Sequence, residues 1–523
     1  MRETRETATM LKRLFRTKSL DAFDRDIADT SHGLKRVLGP IDLIALGIGA
    51  IIGAGIFATV GTAAAGDAVR LGAGPALILS FLVTGIACGF AALCYAEFAA
   101  MVPIAGSAYT YSYATLGELL AWIIGWDLII EYAIGNVAVA ISWSGYFRAL
   151  LSGFGLEIPN WLATDFRSAY ALASGVNPMS FSEKLQAFTA QNWSVFRSPE
   201  ILQSAPQIFG YPLTVNLPAA AIVLALTVIL VWGVKESARF NTGMVIVKLI
   251  TLGFFVVVGV WYIKPENWTP FIPNGWAGVS AGAAIVFFAY IGFDAVSTTA
   301  EETRNPARDM PIGIIGSLLI CTLIYVVVAA VITGIIPWNQ LNVPDPLYMA
   351  FKMIGKDTSA GIVAFGSVVA HTAVLFVFQL GQPRIFFSMA RDGLLPAKFA
   401  AVHPKFRTPH VATIITGVFV AVFAAFASLD EMVDLTNIGT LSAFVLVCAG
   451  IIVLRKKDPK RKRPFRCPWS PWIPLAGMFS CFYLMIELPW VTWRRFGIWL
   501  LVGMVIYLSY GLHRSKLNPH SPR

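Results

Sequence analysis

Charged residues are scarce in this chain of 523 residues: 13% of them are Asp, Glu, Lys or Arg, whereas 56% are hydrophobic. Soluble domains carry about 25% charged residues, so this sequence cannot supply polar surfaces for several soluble domains. The hydrophobic residues fall in blocks longer than the roughly 18 residues that cross a bilayer core of about 30 Å. Collagen, coiled coil, disordered chain and disulfide-stapled secreted scaffold are excluded. The sequence predicts an all-α integral membrane protein.

Cysteine and catalytic motifs are also sparse. The chain has six cysteines, five of them in hydrophobic blocks, and none has the spacing of metal ligands, so we expect no disulfide framework and no metal site. Nucleotide-binding loops, dinucleotide fingerprints and the motifs of zinc proteases and serine hydrolases are absent from the sequence. We therefore expect neither enzymatic activity nor a cofactor. The first 40 residues lack the apolar segment of a cleaved signal peptide, so the first span should direct its own insertion.

The hydrophobic blocks predict twelve transmembrane helices. Their approximate ranges are 41–66, 75–101, 117–147, 217–234, 240–263, 277–300, 311–336, 359–390, 409–428, 437–454, 472–489 and 496–513. If both termini are cytoplasmic, the inner segments hold 28 of the 40 Lys and Arg residues, which satisfies the positive-inside rule. The basic run from Arg455 to Arg466 has a single aromatic residue, Phe465, and no repeated aromatic interleaving, so its net positive charge favours a cytoplasmic membrane loop over nucleic-acid binding. We expect the plasma (cytoplasmic) membrane as the location.

These spans predict two five-helix halves followed by two further helices. The parts of the chain are a cytoplasmic segment (1–40), a first five-helix repeat (41–263) with an extracellular loop at about 148–216, a second five-helix repeat (277–454), a basic cytoplasmic loop (455–471), two additional helices (472–513) and a cytoplasmic tail (514–523).

Glycines are concentrated near the middle of the first span. The segment GIGAIIGAGIF ends at Phe57 and contains four glycines, each of which costs about 1 kcal/mol in a helix interior. The pair Gly49 and Gly53 is also compatible with simple close packing of two helices. The sixth span favours an interruption instead, because it places Gly292 and the acidic Asp294 inside an apolar stretch. Paired interruptions in corresponding helices indicate an inverted-repeat transporter with its site at the repeat interface.

Such a break creates a site for a zwitterion. Unwinding at Gly53 to Gly55 frees backbone N–H groups at the positive end of the outer half-helix, where a carboxylate binds. The broken sixth helix offers free carbonyl groups that suit an ammonium group. Irregular backbone at this depth is tolerated only where it lines a cavity or is buried in protein.

Four motifs resemble those of one transporter family. They are GAIIGAGIF (ending at Phe57), CYAEFAAMVPIAGSAYTYSYATLGE (94–118), IGFDAVSTTAEETRNPARDMPIGI (291–314) and GQPRIFFSMARDGLLP (381–396). Together they resemble the amino acid-polyamine-organocation superfamily, within it the bacterial-type members of the cationic amino acid transporter branch, over about residues 40–455. The resemblance implies a five-plus-five inverted repeat with broken helices 1 and 6, two extra helices, and amino acid transport by alternating access. That branch includes carriers of neutral amino acids.

The resemblance also implies a set of substrate-binding residues. By position, backbone groups for the amino acid come from Ile51, Gly53, Ala54 and Gly55, and the sixth helix contributes Phe288, Ile291 and Asp294. Phe288 matches an aromatic gate over the substrate, although an aromatic residue packed between helices is the alternative. Asp294 has a second interpretation as the N-cap of the second half-helix.

Phe378 on the eighth helix is inferred to form the floor of the pocket. Its ring would fill space that a long side chain needs, and Asp294 is the one acidic residue among the inferred lining positions. A cationic side chain needs a carboxylate or a well-placed aromatic face to offset its desolvation. The sequence therefore favours neutral over cationic amino acids.

Lys248 lies nine residues beyond Arg239, roughly 13 Å into the membrane at about 1.5 Å per residue. A lysine near the midplane is functional by default. It matches a fifth-helix lysine that, in proton-coupled members of the superfamily, occupies the place of a coupling cation. The alternative is a structural pair with a buried carboxylate.

These observations predict a secondary active transporter, most consistent with proton-coupled symport of neutral amino acids. The expected partners are the amino acid, the proton and the lipid bilayer; the oligomeric state is not predicted. Cationic amino acid transport, amino acid exchange and a membrane amino acid sensor that binds without transport remain alternatives.

Overall fold

The computed structural model describes residues 14, 16–17, 36–67, 69–101, 107–165, 168, 205–208, 211–232, 238–406 and 408–517. Most of the predicted N-terminal segment and most of the predicted loop at about 148–216 lie outside the described residues.

Helices dominate the described residues, as the sequence predicts. In chain order they are α1 (Pro40–Ile51), α2 (Val60–Ala65), α3 (Leu77–Met101), α4 (Ser107–Thr115), α5 (Glu118–Ile129), α6 (Gly135–Ser152), α7 (Leu217–Trp232), α8 (Ala238–Gly259), α9 (Gly275–Val286), α10 (Pro306–Ile335), α11 (Pro346–Met353), α12 (Asp357–Arg391), α13 (His410–Phe426), α14 (Leu429–Lys457), α15 (Trp472–Ile486), α16 (Trp490–Ile506) and α17 (Leu512–Arg514). Two short strands, β1 (Gln207–Ile208) and β2 (Tyr211–Pro212), pair antiparallel.

Short π and 3-10 segments connect or extend these helices. The π segments are Gly55–Thr59, Ile130–Ile134 and Tyr507–Gly511. The 3-10 segments are Gly74–Ala76, Asn160–Leu162, Val260–Tyr262, Pro265–Trp268, Phe287–Tyr290, Asp294–Glu302, Trp338–Gln340 and Ala397–Ala400.

The described residues contain eight helices long and apolar enough to cross a membrane, or nine if the bent pair at α1 and α2 is one span. Three shorter apolar helices, α7, α13 and α15, coincide with further predicted spans. The protein is thus an all-α, multi-pass membrane protein. The count of twelve spans, the inverted repeat and the domain boundaries stay predictions.

The first span is broken where its glycines cluster. Helix α1 ends at Ile51, the chain bends at Ile52 and Gly53, and the outer half resumes with the π segment Gly55–Thr59. The two halves are inclined by 45°. Glycine weakens the helix here because it loses more conformational freedom on folding than any other residue.

The sixth span is interrupted as well. Helix α9 runs through Val286 into a 3-10 turn, the chain then passes through Gly292, and a second 3-10 segment covers Asp294–Glu302. Gly292 has a φ of +112°, a conformation that side chains with a Cβ rarely adopt. Both interruptions predicted from the sequence are therefore present in the fold.

Burial separates central from peripheral spans. The apolar window of the span Gly275–Ala300 is 100% buried and that of Glu118–Ser152 is 94% buried, whereas the window in Trp490–Arg514 is 22% buried. Large apolar side chains on the outer helices face the surroundings, as lipid contact requires. The broken sixth span therefore lies at the centre of the protein, where irregular backbone is shielded from lipid.

Three elements were not expected from the sequence. Helices α4 and α11 are short and lie outside the predicted spans, and the hairpin of β1 and β2 falls in the predicted extracellular loop. None of the three is long enough to register as a hydrophobic block, which explains why the pattern did not indicate them.

Candidate functional site

The two interruptions pack against each other backbone to backbone. A Cβ added at Gly55 would overlap the backbone of Ala289, and one added at Gly292 would lie 2.9 Å from the carbonyl carbon of Ala50. Each glycine thus permits the close approach of the opposite broken helix. The contact holds the first and sixth spans together at the point where both are unwound.

The breaks leave backbone carbonyl groups without their usual helical donors, and side chains replace those donors. The last bond of the inner half-helix joins the N–H of Ile52 to the carbonyl of Ile48 at 3.0 Å. The hydroxyl of Tyr325 on α10 lies 2.8 Å from the carbonyl oxygen of Ala289 and 3.1 Å from that of Ile51. One buried side chain therefore serves a freed carbonyl from each broken helix.

A small pocket lies at this junction. It is lined by Ala50, Ile51, Gly53, Ala54, Gly55, Val139, Phe288, Ile291, Val374 and Phe378. The structure thus brings together seven of the eight residues expected to bind substrate. Every lining residue is apolar or glycine, so polar recognition in the pocket depends on the backbone.

The two aromatic residues of the lining come from different helices. Phe288 lies in the 3-10 turn before the break and is 5% exposed. Phe378 lies on α12, and its ring centroid is 5.5 Å from that of Tyr132. The pocket is therefore bounded by one ring from the sixth span and one from the eighth.

Asp294 is the expected site residue that does not line the pocket. Its carboxyl group faces that of Glu131, which lies in the π segment Ile130–Ile134, and both residues are buried. Neither Asp294 oxygen makes a hydrogen bond of standard geometry to a described residue. The second half of the sixth span has Phe293 at its N-cap, without a capping side chain, so the capping alternative gains no support.

Lys248 lies on α8 beside the pocket and is fully buried. Its ammonium group donates to the carbonyl of Gly49 at 2.5 Å. No carboxylate of the described residues pairs with it, so the alternative of a structural ion pair has no support among them.

His371 and Asp127 both have partners. The Nδ1 of His371 lies 2.6 Å from the carbonyl oxygen of Ser367, so it carries the proton, and Nε2 accepts from the hydroxyl of Ser142 at 2.7 Å. Asp127 accepts from Ser442 at 2.6 Å. Each contact joins its side chain to a neighbouring helix, which is consistent with a structural role.

Several residues at the junction were missed by the sequence analysis. Tyr325 is one; Tyr146 is another, since its hydroxyl donates to the carbonyl of Phe57 at 2.5 Å. The side-chain amide of Asn437 on α14 donates to the carbonyl of Ala284 at 2.8 Å. Tyrosine and asparagine within apolar spans are the available signals, but they do not identify their partners.

Comparison with known proteins shows the family of this chain. The family profile described as amino acid permease matches residues 38–507, nearly the whole described region. The chain belongs to the amino acid permease family. Its activity is therefore amino acid transport across a membrane, and it is a transporter and not an enzyme.

Individual relatives of this permease differ in their named substrates. It is 47% identical to the branched-chain amino acid permease BcaP of Bacillus subtilis over 97% of this chain and 99% of the relative. It is 45% identical to the methylthioribose transporter of Bacillus subtilis, again over 97% and 99%. It is 37% identical to the vacuolar cationic amino acid transporter 4 of Arabidopsis thaliana over 85% of this chain and 68% of the relative.

Proposed function

We propose that the protein is a proton-coupled symporter of neutral amino acids that works by alternating access. The observation that carries the proposal is the lining of the pocket, where unwound backbone from two helices meets apolar side chains alone. The backbone supplies recognition of the groups shared by all amino acids, and the apolar walls select the side chain.

The shared groups of the substrate match the two breaks. The outer half of the first span begins at Ala54 and Gly55, and the first N–H groups of a helix lack intrahelical partners and lie at its positive end. An α-carboxylate binds there. The carbonyl groups freed at the end of α1 and at the sixth-span break accept hydrogen bonds from the α-ammonium group.

The walls favour a neutral side chain, because every lining residue is apolar or glycine. A guanidinium or ammonium group on the side chain would be desolvated there without a lining carboxylate, at a cost of several kcal/mol. The 47% identity to a branched-chain amino acid permease supports the same class.

Proton coupling is assigned to Lys248. When its amine is protonated it ties α8 to the inner half of the first span through Gly49, and deprotonation weakens this tie. The amine would thereby replace a coupling metal cation. We further propose that the protein resides in the plasma membrane with both termini in the cytoplasm, where the basic segments predict them.

A second candidate substrate is methylthioribose, because a relative named for it is 45% identical over almost the full length of both chains. Methylthioribose has neither a carboxylate nor an ammonium group, so it would leave the freed backbone groups at both breaks without charged partners. The geometry therefore favours an amino acid.

Uptake into proteoliposomes tests the proposal, with proton and sodium gradients imposed independently. Leucine, valine, alanine, serine, arginine, lysine and methylthioribose serve as labelled substrates. We expect a neutral amino acid to accumulate, with uptake that rises as external pH falls, persists without sodium and collapses with a protonophore. Strict sodium dependence would contradict proton coupling, arginine or lysine outcompeting the neutral substrates would contradict the specificity, and binding without uptake or exchange would favour a sensor.

A further inference from the structure

The loop between α14 and α15, residues 458–471, is more than a run of solvated charge. The segment from Arg455 to Pro471 contains eight cations and one carboxylate, Asp458. Arg455 and Arg463 face inward, whereas Lys460, Lys462 and Arg466 are exposed. The distinction between inward and outward cations indicates a defined conformation.

A buried carboxylate organises this loop from within. Glu97 on α3 is fully buried and pairs with Arg455 at 2.5 Å and with Arg463 at 3.3 Å. It also accepts the backbone N–H of Cys467 at 2.7 Å. The loop is therefore fixed to the second span at both of its ends.

The inward guanidinium of Arg463 fixes the turn that carries the exposed lysines. It donates to the backbone carbonyl of Asp458 at 2.7 Å and to that of Arg461 at 2.9 Å. Lys460 lies between Asp458 and Arg461, and Lys462 lies between Arg461 and Arg463. The backbone that carries both lysine side chains is therefore ordered. Preorganisation of this kind lowers the entropic cost of binding a ligand.

Two exposed tryptophans adjoin the cations. Trp469 is 81% exposed and Trp472 is 73% exposed, and Trp472 begins helix α15. Trp469 has a φ of +43°, an uncommon conformation for a bulky residue, and its carbonyl accepts the N–H of Trp472 at 2.8 Å. Backbone strain that holds an indole outward points to a function for that side chain.

Exposed tryptophan at the end of a membrane helix marks headgroup depth. Cations within a few residues of that level lie among phosphate groups, and each contributes about 1 kcal/mol of attraction to an anionic membrane surface. We propose that Lys460, Lys462, Arg466, Trp469 and Trp472 form a binding site for an anionic phospholipid headgroup. The chemistry is a phosphodiester held by cations, with the indoles at the glycerol and upper acyl region.

The test measures thermal unfolding of the purified, full-length protein in a neutral detergent during titration with short-chain phosphatidylglycerol or phosphatidylcholine. Phosphatidylglycerol is expected to raise the unfolding temperature saturably, in a salt-sensitive manner, and phosphatidylcholine is not. The triple variant Lys460→Gln, Lys462→Gln, Arg466→Gln should bind phosphatidylglycerol on the order of a hundred-fold more weakly, from three cations at about 1 kcal/mol each.

Two control variants separate lipid binding from folding. The double variant Lys398→Gln, Lys405→Gln removes two exposed lysines from the segment between α12 and α13 and should retain wild-type affinity. Trp469→Gly relieves the positive φ, so it should fold normally and still bind the lipid more weakly. The proposal would be overturned if phosphatidylcholine stabilised the protein as much as phosphatidylglycerol does, or if the triple variant kept wild-type affinity. It would also be overturned if inorganic phosphate displaced phosphatidylglycerol as effectively as the lipid itself.

Discussion

The ammonium group of Lys248 and the carbonyl oxygen of Gly49 are 2.5 Å apart, and this contact joins α8 to the broken first span. In an unbroken helix the carbonyl of Gly49 would accept from the N–H of residue 53. The chain leaves the helix at Ile52, after that residue has bonded to Ile48. Lys248 therefore supplies the donor that the break removes. The protonation state of its amine sets the strength of this hydrogen bond.

Lys248→Met is expected to abolish accumulation of substrate while leaving substrate binding within a few-fold of wild type. Methionine retains bulk but cannot donate, and an unsatisfied buried carbonyl costs about 1–3 kcal/mol. Proton-driven uptake and equilibrium binding in proteoliposomes measure the two quantities separately.

The control is Lys264→Met, since Lys264 lies in the connection between α8 and α9 and not at the break. If Lys248→Met still accumulated substrate against a gradient, the role of Lys248 would be structural and not in proton coupling.

Tyr325→Phe should lower both stability and substrate affinity. The ring remains, with its contacts to Phe81 and Tyr290 at 5.4 and 5.5 Å, but the carbonyls of Ile51 and Ala289 lose their donor. A loss of about 1–3 kcal/mol in unfolding free energy is expected. Thermal unfolding and substrate binding check the prediction.

Tyr290→Phe is the matched variant, because Tyr290 lies in the turn before the sixth-span break but its hydroxyl donates to the carbonyl of Phe81 on α3, at 2.8 Å, and not to a carbonyl freed by a break. It should lose comparable stability with less effect on affinity. Equal losses of affinity in the two variants would contradict a specific role of Tyr325 at the junction.

Both broken spans could be predicted from sequence because the responsible signals are local. The glycines at positions 53, 55 and 292 disfavour a continuous helix wherever they occur, and the apolar blocks around them set the ends of the spans. Long hydrophobic blocks therefore determine much of this fold. Six of the seven expected residues that line the pocket came instead from the resemblance to the transporter family, by position, and Phe378 was inferred to form the floor.

The partners of buried polar residues could not be predicted. Asp127 and Glu131 are one turn apart in sequence, a spacing that places two side chains on one face of a regular helix. The π segment Ile130–Ile134 changes the helical register between them, so Asp127 meets Ser442 while Glu131 faces Asp294. Tyr325 likewise bonds to residues 36 and 274 positions away, and no sequence spacing encodes such contacts.

Gly55→Ala should impair transport far more than Gly53→Ala. A Cβ at Gly55 overlaps the backbone of Ala289, which cannot move without separating the two broken helices, whereas a Cβ at Gly53 meets the Cγ2 of Val374 at 2.9 Å. Gly55→Val would block the approach of a carboxylate to the backbone N–H groups and would also separate the helices. Binding affinity and the elution profile of each purified variant measure the effect.

Comparable binding by well-folded Gly55→Ala and Gly53→Ala proteins would contradict the assignment of Gly55 to the helix junction.

Asp294→Asn is expected to raise the unfolding temperature at neutral pH and to reduce transport. Two buried carboxyl groups that face each other either repel or must take up a proton to share, and an asparagine amide can donate to Glu131 without that proton uptake. Asp127→Leu is the comparison, since Asp127 accepts from Ser442 and a leucine side chain has no acceptor for that hydroxyl. Destabilisation by both variants would argue against repulsion at the Glu131–Asp294 pair.

Phe378→Leu should shift the substrate preference towards larger neutral side chains. The Phe378 ring lies against the pocket and Tyr132, so a smaller residue deepens the floor. A change of one methylene in an apolar pocket alters discrimination by about 1–3 kcal/mol, so competition by leucine relative to alanine should rise roughly ten-fold or more.

Phe376→Leu provides the matched control. It carries the same substitution on the same helix at a buried position that does not line the pocket, so its stability should fall without a change in preference. Competition uptake with alanine, valine, leucine and phenylalanine measures both variants. An identical substrate ranking in Phe378→Leu and Phe376→Leu would show that Phe378 does not set the depth of the site.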